Sequence, residues 1–120
     1  MSKIFYTESH EWIEILNGNK ARIGISKYAA EELGDIVHIE LPEVGDEFDA
    51  EEEFGTVESV KSFSEVYLPF VAKVVAVNED LEDEPEIVNE DAQGKGWFIE
   101  VEAEEEIDTS DLLTEDPTDN

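Results

Sequence analysis

Hydrophobic and polar residues alternate along much of the chain, a period of two that marks half-buried strands. Glu11-Trp12-Ile13-Glu14-Ile15 and Lys20-Ala21-Arg22-Ile23-Gly24-Ile25 carry the alternation on either side of Asn17-Gly18. Asn-Gly between two such runs predicts a hairpin, because both residues tolerate positive φ. The period then changes. Ser26 supplies an N-cap for a helix through Lys27-Tyr28-Ala29-Ala30-Glu31-Glu32-Leu33, and Gly34 is placed to end it. A run of about two turns cannot stand alone, so this helix must lean on a sheet.

Strands are predicted again at Ile36–Leu41, Phe54–Val60, Phe63–Leu68, Val71–Val77 and Trp97–Val101. Turn residues separate them at Pro42–Asp46, Pro69 and Gln93–Gly96. In the first of these strands Val37, Ile39 and Leu41 are expected to face inward, leaving His38 and Glu40 to water. Asn78–Asn89 is polar, acidic and proline-bearing, and reads as an ordered loop or short helical turn. The expected division is one domain over residues 1–107 and an acidic tail over 108–120. In that tail Thr109–Leu113 offers the start of a brief helix, Pro117 ends it, and terminal disorder is expected beyond. Short strands with turns every 8 to 12 residues or so predict a mainly β fold, a small sandwich or barrel.

Composition narrows the function. The chain has 120 residues, 40% of them hydrophobic, which suits one domain with a modest core. Its 34 acidic residues against 7 basic ones give a formal charge of −27. Nucleic acid is thereby excluded as a partner, since phosphate neutralisation needs Lys and Arg, and anionic membrane surfaces are excluded likewise. The acidity fits a salty cytoplasm, where screening tames self-repulsion, or steering toward basic partner proteins. No cysteine is present, which removes disulfides, thiol nucleophiles and cysteine metal sites. His10 and His38 are too few for a histidine-rich metal site. The longest apolar runs, such as Val74–Val77, are far too short for a membrane span, and Met1–Glu8 lacks the pattern of a signal peptide. A cytoplasmic location is expected, or the mitochondrial matrix if a transit peptide was removed.

The segment that carries chemistry is Gly55–Glu65, where two strand-like runs meet at Lys61. Between residues 28 and 72 Lys61 is the only lysine or arginine. Taken alone, such a lysine reads as an ordinary solvated cation beside a hairpin tip. A carrier lysine has the same surroundings: a tight turn makes the side chain protrude while the backbone stays rigid. An alkyl amine acylates only as the free base and is protonated near neutral pH. Deprotonation therefore falls to the attaching enzyme, and the domain supplies presentation.

Glu58-Ser59-Val60-Lys61, followed by Ser64, Tyr67 and Pro69, resembles the lipoylation site of glycine cleavage H proteins. Ser9-His10-Glu11-Trp12 is similar to the N-terminal signature of that family. Gly24-Ile25-Ser26 with Tyr28-Ala29, Leu33-Gly34-Asp35-Ile36-Val37 and Leu41-Pro42-Glu43-Val44-Gly45 follow in order. Val77-Asn78, Leu81, Pro85, Val88-Asn89 and Gly94-Lys95-Gly96-Trp97 extend the likeness through the C-terminal half. It covers roughly residues 3 to 101, and this many matches in sequence order are far more specific than a lone Glu-x-x-Lys.

The resemblance implies a flattened barrel-sandwich hybrid with short peripheral helices, and a lipoyl group joined as an amide to Lys61 within a motif that includes Glu58 and Val60. It implies a monomeric, non-catalytic carrier in a multienzyme system. Such a carrier takes the aminomethyl group of glycine from P protein, the glycine decarboxylase, to T protein, the aminomethyltransferase. It delivers electrons to L protein, the dihydrolipoyl dehydrogenase, and is loaded by a lipoate-attaching enzyme. In this family the loaded arm folds back into a surface cleft, and by position Ser9, Glu11 and Glu65 are the candidates to line it. Charge-assisted contact with a protonated amine suits the two carboxylates. Trp12 and Trp97 are expected in the core.

Two stretches depart from the family pattern. Phe70-Val71-Ala72-Lys73 stands where Ser-Gly-Glu is usual after the proline, and a turn needing positive φ would strain Ala72. Asp91-Ala92-Gln93 replaces an expected Pro-Tyr before the glycine pair. Rival readings are weaker. A biotin carrier usually has methionines beside its lysine, whereas Val60 and Ser62 flank Lys61. Lipoyl domains of 2-oxo-acid dehydrogenases lack the Ser-His-Glu-Trp and Gly-x-Gly-Trp signatures. An H-like protein serving lipoate relay or signalling, and an unmodified acidic binding module, are the remaining alternatives.

Overall fold

In the computed structural model, which describes residues 3–110 and 112–115, the first hairpin grows into the larger of two sheets. Strands β1 (Lys3–Tyr6), β2 (Glu11–Asn17) and β3 (Lys20–Ile25) run antiparallel in sequence. On the other edge of β3 lies β9 (Ile99–Glu102), followed by β8 (Ala72–Val77) and the two-residue β5 (Glu47–Phe48). The smaller sheet has the order β4 (Ile36–Glu40), β6 (Glu52–Ser59), β7 (Phe63–Leu68). One core cluster joins both sheets: Ile13, Ile23, Val74 and Val101 from the larger, Ile39, Val57, Val66 and Leu68 from the smaller. The mainly β, flattened barrel-sandwich architecture expected from the sequence is therefore what forms, with two facing sheets and no closed barrel among the described residues.

Helix α1 (Lys27–Leu33) is capped as its sequence dictates. Ser26 Oγ accepts from the Ala29 N–H at 3.1 Å, and Gly34, at φ 81°, closes the helix through its own N–H to Ala30 O. The polar stretch after β8 resolves into two short helices, α2 (Asp80–Asp83) and α3 (Glu86–Asp91), each burying one leucine or valine, Leu81 and Val88.

Several details differ from the pattern-based expectation. Asn17 pairs with Lys20, so the hairpin tip is Gly18-Asn19, and neither Asn17 nor Gly18 is among the residues with positive φ. A register shift between Ile15 and Asn17 supplies the bend instead. A second shift, between Ile36 and His38, turns Val37 out of the core to 49% exposure, while Ile36 and Ile39 stay buried. Ala72 carries no strain: it opens β8 opposite Phe48, buried, and outside the left-handed region. Trp12 is fully buried as expected, but Trp97 is only half-buried, with the Arg22 guanidinium 5.1 Å from its ring centroid. Strands β1 and β5 had no signal in the alternation.

The chain from Asp108 onward forms no helix among its described residues. Leu112 N–H turns back to Thr109 O at 3.0 Å, and Leu113 bridges Tyr6 with two bonds of 2.8 Å. Pro117 and the expected disorder around it lie outside the described residues.

Candidate functional site

Lys61 sits at the tip of the β6–β7 hairpin. Glu58 pairs with Phe63, the Ser59 N–H donates to Ser62 O at 2.8 Å, and Val60 and Lys61 span the turn. Ser59 Oγ accepts from the Lys61 N–H at 3.3 Å. The tip is tied to the neighbouring connection as well, because the Val60 N–H donates to Asp35 O at 3.0 Å. The Lys61 side chain is exposed, and among the described residues its Nζ has no hydrogen-bond or ion-pair partner. Its stem runs close to Gly34: a methyl group there would lie 3.2 Å from Lys61 Cε. Around the tip the surface is unusually apolar for so acidic a chain, with Val60 69% and Phe63 60% exposed. Glu58 lies on the outward face of β6, level with His38 and Phe63.

The second feature is an open cleft of ≈ 700 Å³ where the β1–β2 connection meets the end of β7. Its walls include Thr7, Ser9, Glu11, Tyr67, Leu112 and Leu113. Glu11 is only 2% exposed, yet no cation faces it among the described residues. Donors hold it instead. Ser9 Oγ donates to Oε1 at 2.6 Å, Thr7 Oγ1 donates to the same oxygen, and the Tyr67 N–H donates to Oε2 at 3.1 Å. A buried carboxylate with such donors is satisfied rather than orphaned. The sharp turn that aims this group is made by His10 at φ 71°, whose ring lies 4.9 Å from that of Tyr28.

Of the residues singled out from sequence for the cleft, Ser9 and Glu11 line it together. Glu65 stands beside it on the outward face of β7 and is joined to it through Tyr67, whose hydroxyl donates to Glu65 Oε1 at 2.8 Å. That bond is the first cause, with burial and the nearby acids adding to it, that holds the Tyr67 phenol above its ordinary pKa. Tyr67 was legible only as a motif match; its place two residues from Glu65 on one strand face was the signal for a shared role. Leu112 and Leu113 had no sequence signal for the cleft.

The substituted Asp91-Ala92-Gln93 segment is structural. Trp12 Nε1 donates to Ala92 O at 2.9 Å, and Gln93 accepts from the Lys27 N–H and donates to the Tyr6 hydroxyl, both at 3.0 Å.

Comparison with known proteins agrees with this geometry. The family model for the Glycine cleavage H-protein matches residues 4–120. The glycine cleavage system H protein of Bacillus licheniformis is 56% identical over 109 residues, 91% of this chain and 85% of that one. That of Halalkalibacterium halodurans is 51% identical over 115 residues, 96% of this chain and 89% of its own. The crystal structure of a glycine cleavage system H protein from Mycobacterium marinum superposes with a TM-score of 0.84 at 37% identity, covering 93% of this chain and 90% of that one.

Two facing sheets that superpose on a glycine cleavage system H protein define a carrier domain of the lipoyl type. The chain belongs to the glycine cleavage H-protein family, the lipoyl carriers of the glycine cleavage system. The other components of that system are its partners. No helix among the described residues is long and apolar enough to cross a membrane.

Proposed function

We propose that Lys61 is the lipoyl attachment point, and that through it the chain takes the aminomethyl group of glycine from P protein to T protein and electrons to L protein. The observation that carries this reading is Lys61 itself: exposed at a hairpin tip, backbone fixed, amine unpartnered among the described residues. A rigid tip with a free side chain presents the amine to a lipoate-attaching enzyme and later to several active sites. Bound lipoate supplies a dithiolane able to carry a one-carbon unit and electrons. The chain's own residues bind, orient and shield; they do not catalyse. Glu58 and Val60 flank the amine as part of the surface that the attaching enzyme reads.

Shielding is the role of the cleft. Its apolar walls, Leu112 and Leu113, exclude water, and Ser9 and Glu11 offer hydrogen-bond acceptors to a protonated amine. Glu65 adds a second carboxylate at its flank through Tyr67. In this reading the carrier domain spans residues 1–107, the tail 108–120 contributes the wall at Leu112 and Leu113, and the monomer works in the cytoplasm.

The test is an intact mass before and after incubation with a lipoate ligase, lipoate and ATP, beside a Lys61→Arg control. Gain of one lipoyl group by the chain and none by the control supports the assignment. No gain, with circular dichroism showing an intact fold and a second ligase also failing, overturns it in favour of an unmodified binding module.

A further inference from the structure

The lysine hairpin does not stand free of the body. Its tip is joined to the connection between α1 and β4 by the Val60 N–H to Asp35 O bond of 3.0 Å. Asp35 is held from both sides by one side chain. Asn89 Nδ2 donates to Gly34 O at 2.8 Å, and Asn89 Oδ1 accepts from the Ile36 N–H at 2.9 Å. Asn89 lies on α3, is exposed, and has both ends of its amide committed to this one connection. Gly34 completes the seat. Its φ of 81° is a backbone state that favours glycine, and the missing Cβ leaves room for the Lys61 stem.

We propose that Asn89 is a positioning residue for the acylation of Lys61, acting through Gly34, Asp35 and Ile36 on the hairpin tip. The inference rests on the reading of Lys61 as the attachment point. The clamp fixes the carbonyl of Asp35, the carbonyl fixes Val60, and Val60 fixes the backbone from which the lysine projects. Asn89 makes no hydrogen bond to the lysine; its amide is spent on Gly34 and Ile36. Its effect is preorganisation: a tip already held in one orientation loses less freedom on docking. Loss of the clamp therefore appears in KM for the protein substrate. The turnover number stays constant, because the amine meets the same enzyme groups once docked.

Two variants separate the contacts. Asn89→Ala removes both. Asn89→Asp keeps the acceptor for the Ile36 N–H and loses the donor to Gly34, so it should recover part of the effect. The probe is acylation by a lipoate ligase with lipoate and ATP, with hydrogen exchange at the Val60 amide measured on the same samples. Losing both bonds of the clamp should speed Val60 exchange and raise KM about five- to tenfold in Asn89→Ala. Amides of β2 and β3 should be unaffected. Ile23→Val, a core truncation in the opposite sheet, controls for general destabilisation and should leave KM alone. Should the alanine variant not fold, Asn89→Asp carries the same comparison.

A KM within about twofold of wild type, an equal rise in Ile23→Val, or unchanged Val60 exchange would overturn the proposal. If the wild-type chain itself takes up no lipoyl group, the carrier reading has failed. If the wild type is acylated and the Asn89 variants match it, only the positioning role has.

Discussion

Glu11 Oε2 accepts the backbone N–H of Tyr67 at 3.1 Å, so a side chain from the start of one sheet occupies a backbone position at the end of the other. The bond fixes one wall of the cleft to the opposite wall. It also explains how a carboxylate at 2% exposure is kept with no cation facing it among the described residues, in a chain of such high negative charge. Replacing Glu11 by alanine leaves the Tyr67 N–H unpaired and opens a hole, a loss of about 1–3 kcal/mol. Glutamine keeps an acceptor for Tyr67 and a donor for the hydroxyls of Thr7 and Ser9, so its melting temperature should stay near wild type. The charge is gone in Glu11→Gln, and the loaded carrier should release its one-carbon unit to water faster. Equal lifetimes of the loaded forms at equal stability would remove Glu11 from the shielding role.

Tyr67 offers a pH test of the same wall. Its hydrogen bond to Glu65, reinforced by burial and the nearby acids, raises its phenol above the ordinary value of 10.0. A raised acid is favoured neutral in the fold. The contribution is whole below the unfolded pKa and is lost as pH climbs through the folded one. Ultraviolet titration, with Tyr67→Phe subtracted to isolate one phenol from three, should show a late ionisation that Glu65→Ala moves back down. An unmoved midpoint in Glu65→Ala would show that the bond does not govern the phenol.

Much of this architecture was readable from the chain because local chemistry and tertiary placement agree. Ser26 and Gly34 cap α1 in the roles their side chains prescribe, and the hairpin around Lys61 falls between the two runs that announced it. Where the reading failed, a bulge or a distant partner had intervened. Period-two counting put Val37 inside, and one extra residue in β4 turned it out. Trp97, expected in the core beside Trp12, is half-buried instead, with the Arg22 guanidinium of β3 over its ring. The cleft was half legible: Ser9 and Glu11 came with the N-terminal signature, while Leu113 reaches it through a bridge to Tyr6 that no local pattern encodes. The Asn89 clamp joins residues 53 and 55 positions apart, beyond the range of any periodicity.

Gly24 illustrates a glycine set by close approach. A Cβ there would lie 2.8 Å from Trp12 Nε1 and 3.0 Å from its Cε2. The indole cannot retreat easily, since it is fully buried and its N–H donates to Ala92 O. Gly24→Ala should therefore cost about 1–3 kcal/mol through overpacking, and shift Trp12 fluorescence as the indole is pushed from its acceptor. Lipoylation of the folded fraction should be unchanged, because Lys61 belongs to the other sheet. A stable variant with native fluorescence would mean that the backbone of β3 yields more readily than the packing implies.

The charge makes a prediction of its own. At −27 the folded chain concentrates like charges that the unfolded chain spreads apart, so self-repulsion opposes folding. Few attractions offset it: among the described residues the ion pair between permanently charged side chains is Arg22–Glu100 at 2.7 Å, and the exposed His38–Glu40 contact at 3.8 Å attracts only with a protonated imidazole. Raising ionic strength from about 0.1 M to 1 M shortens the screening length from about 10 Å to about 3 Å. That screening weakens repulsion among many acids far more than it weakens one partly exposed arginine pair. A relief of about 1 kcal/mol should raise the melting temperature of a chain this size by roughly 3–5 °C. Sodium chloride is the proper salt for the series, since sulfate would stabilise by exclusion from the surface regardless of charge. A melting temperature that stays level or falls toward molar chloride would show that repulsion is not what limits this fold. The acidic surface would then be explained by solubility or by partner steering, the second of which a salt-dependent association rate with P protein would detect.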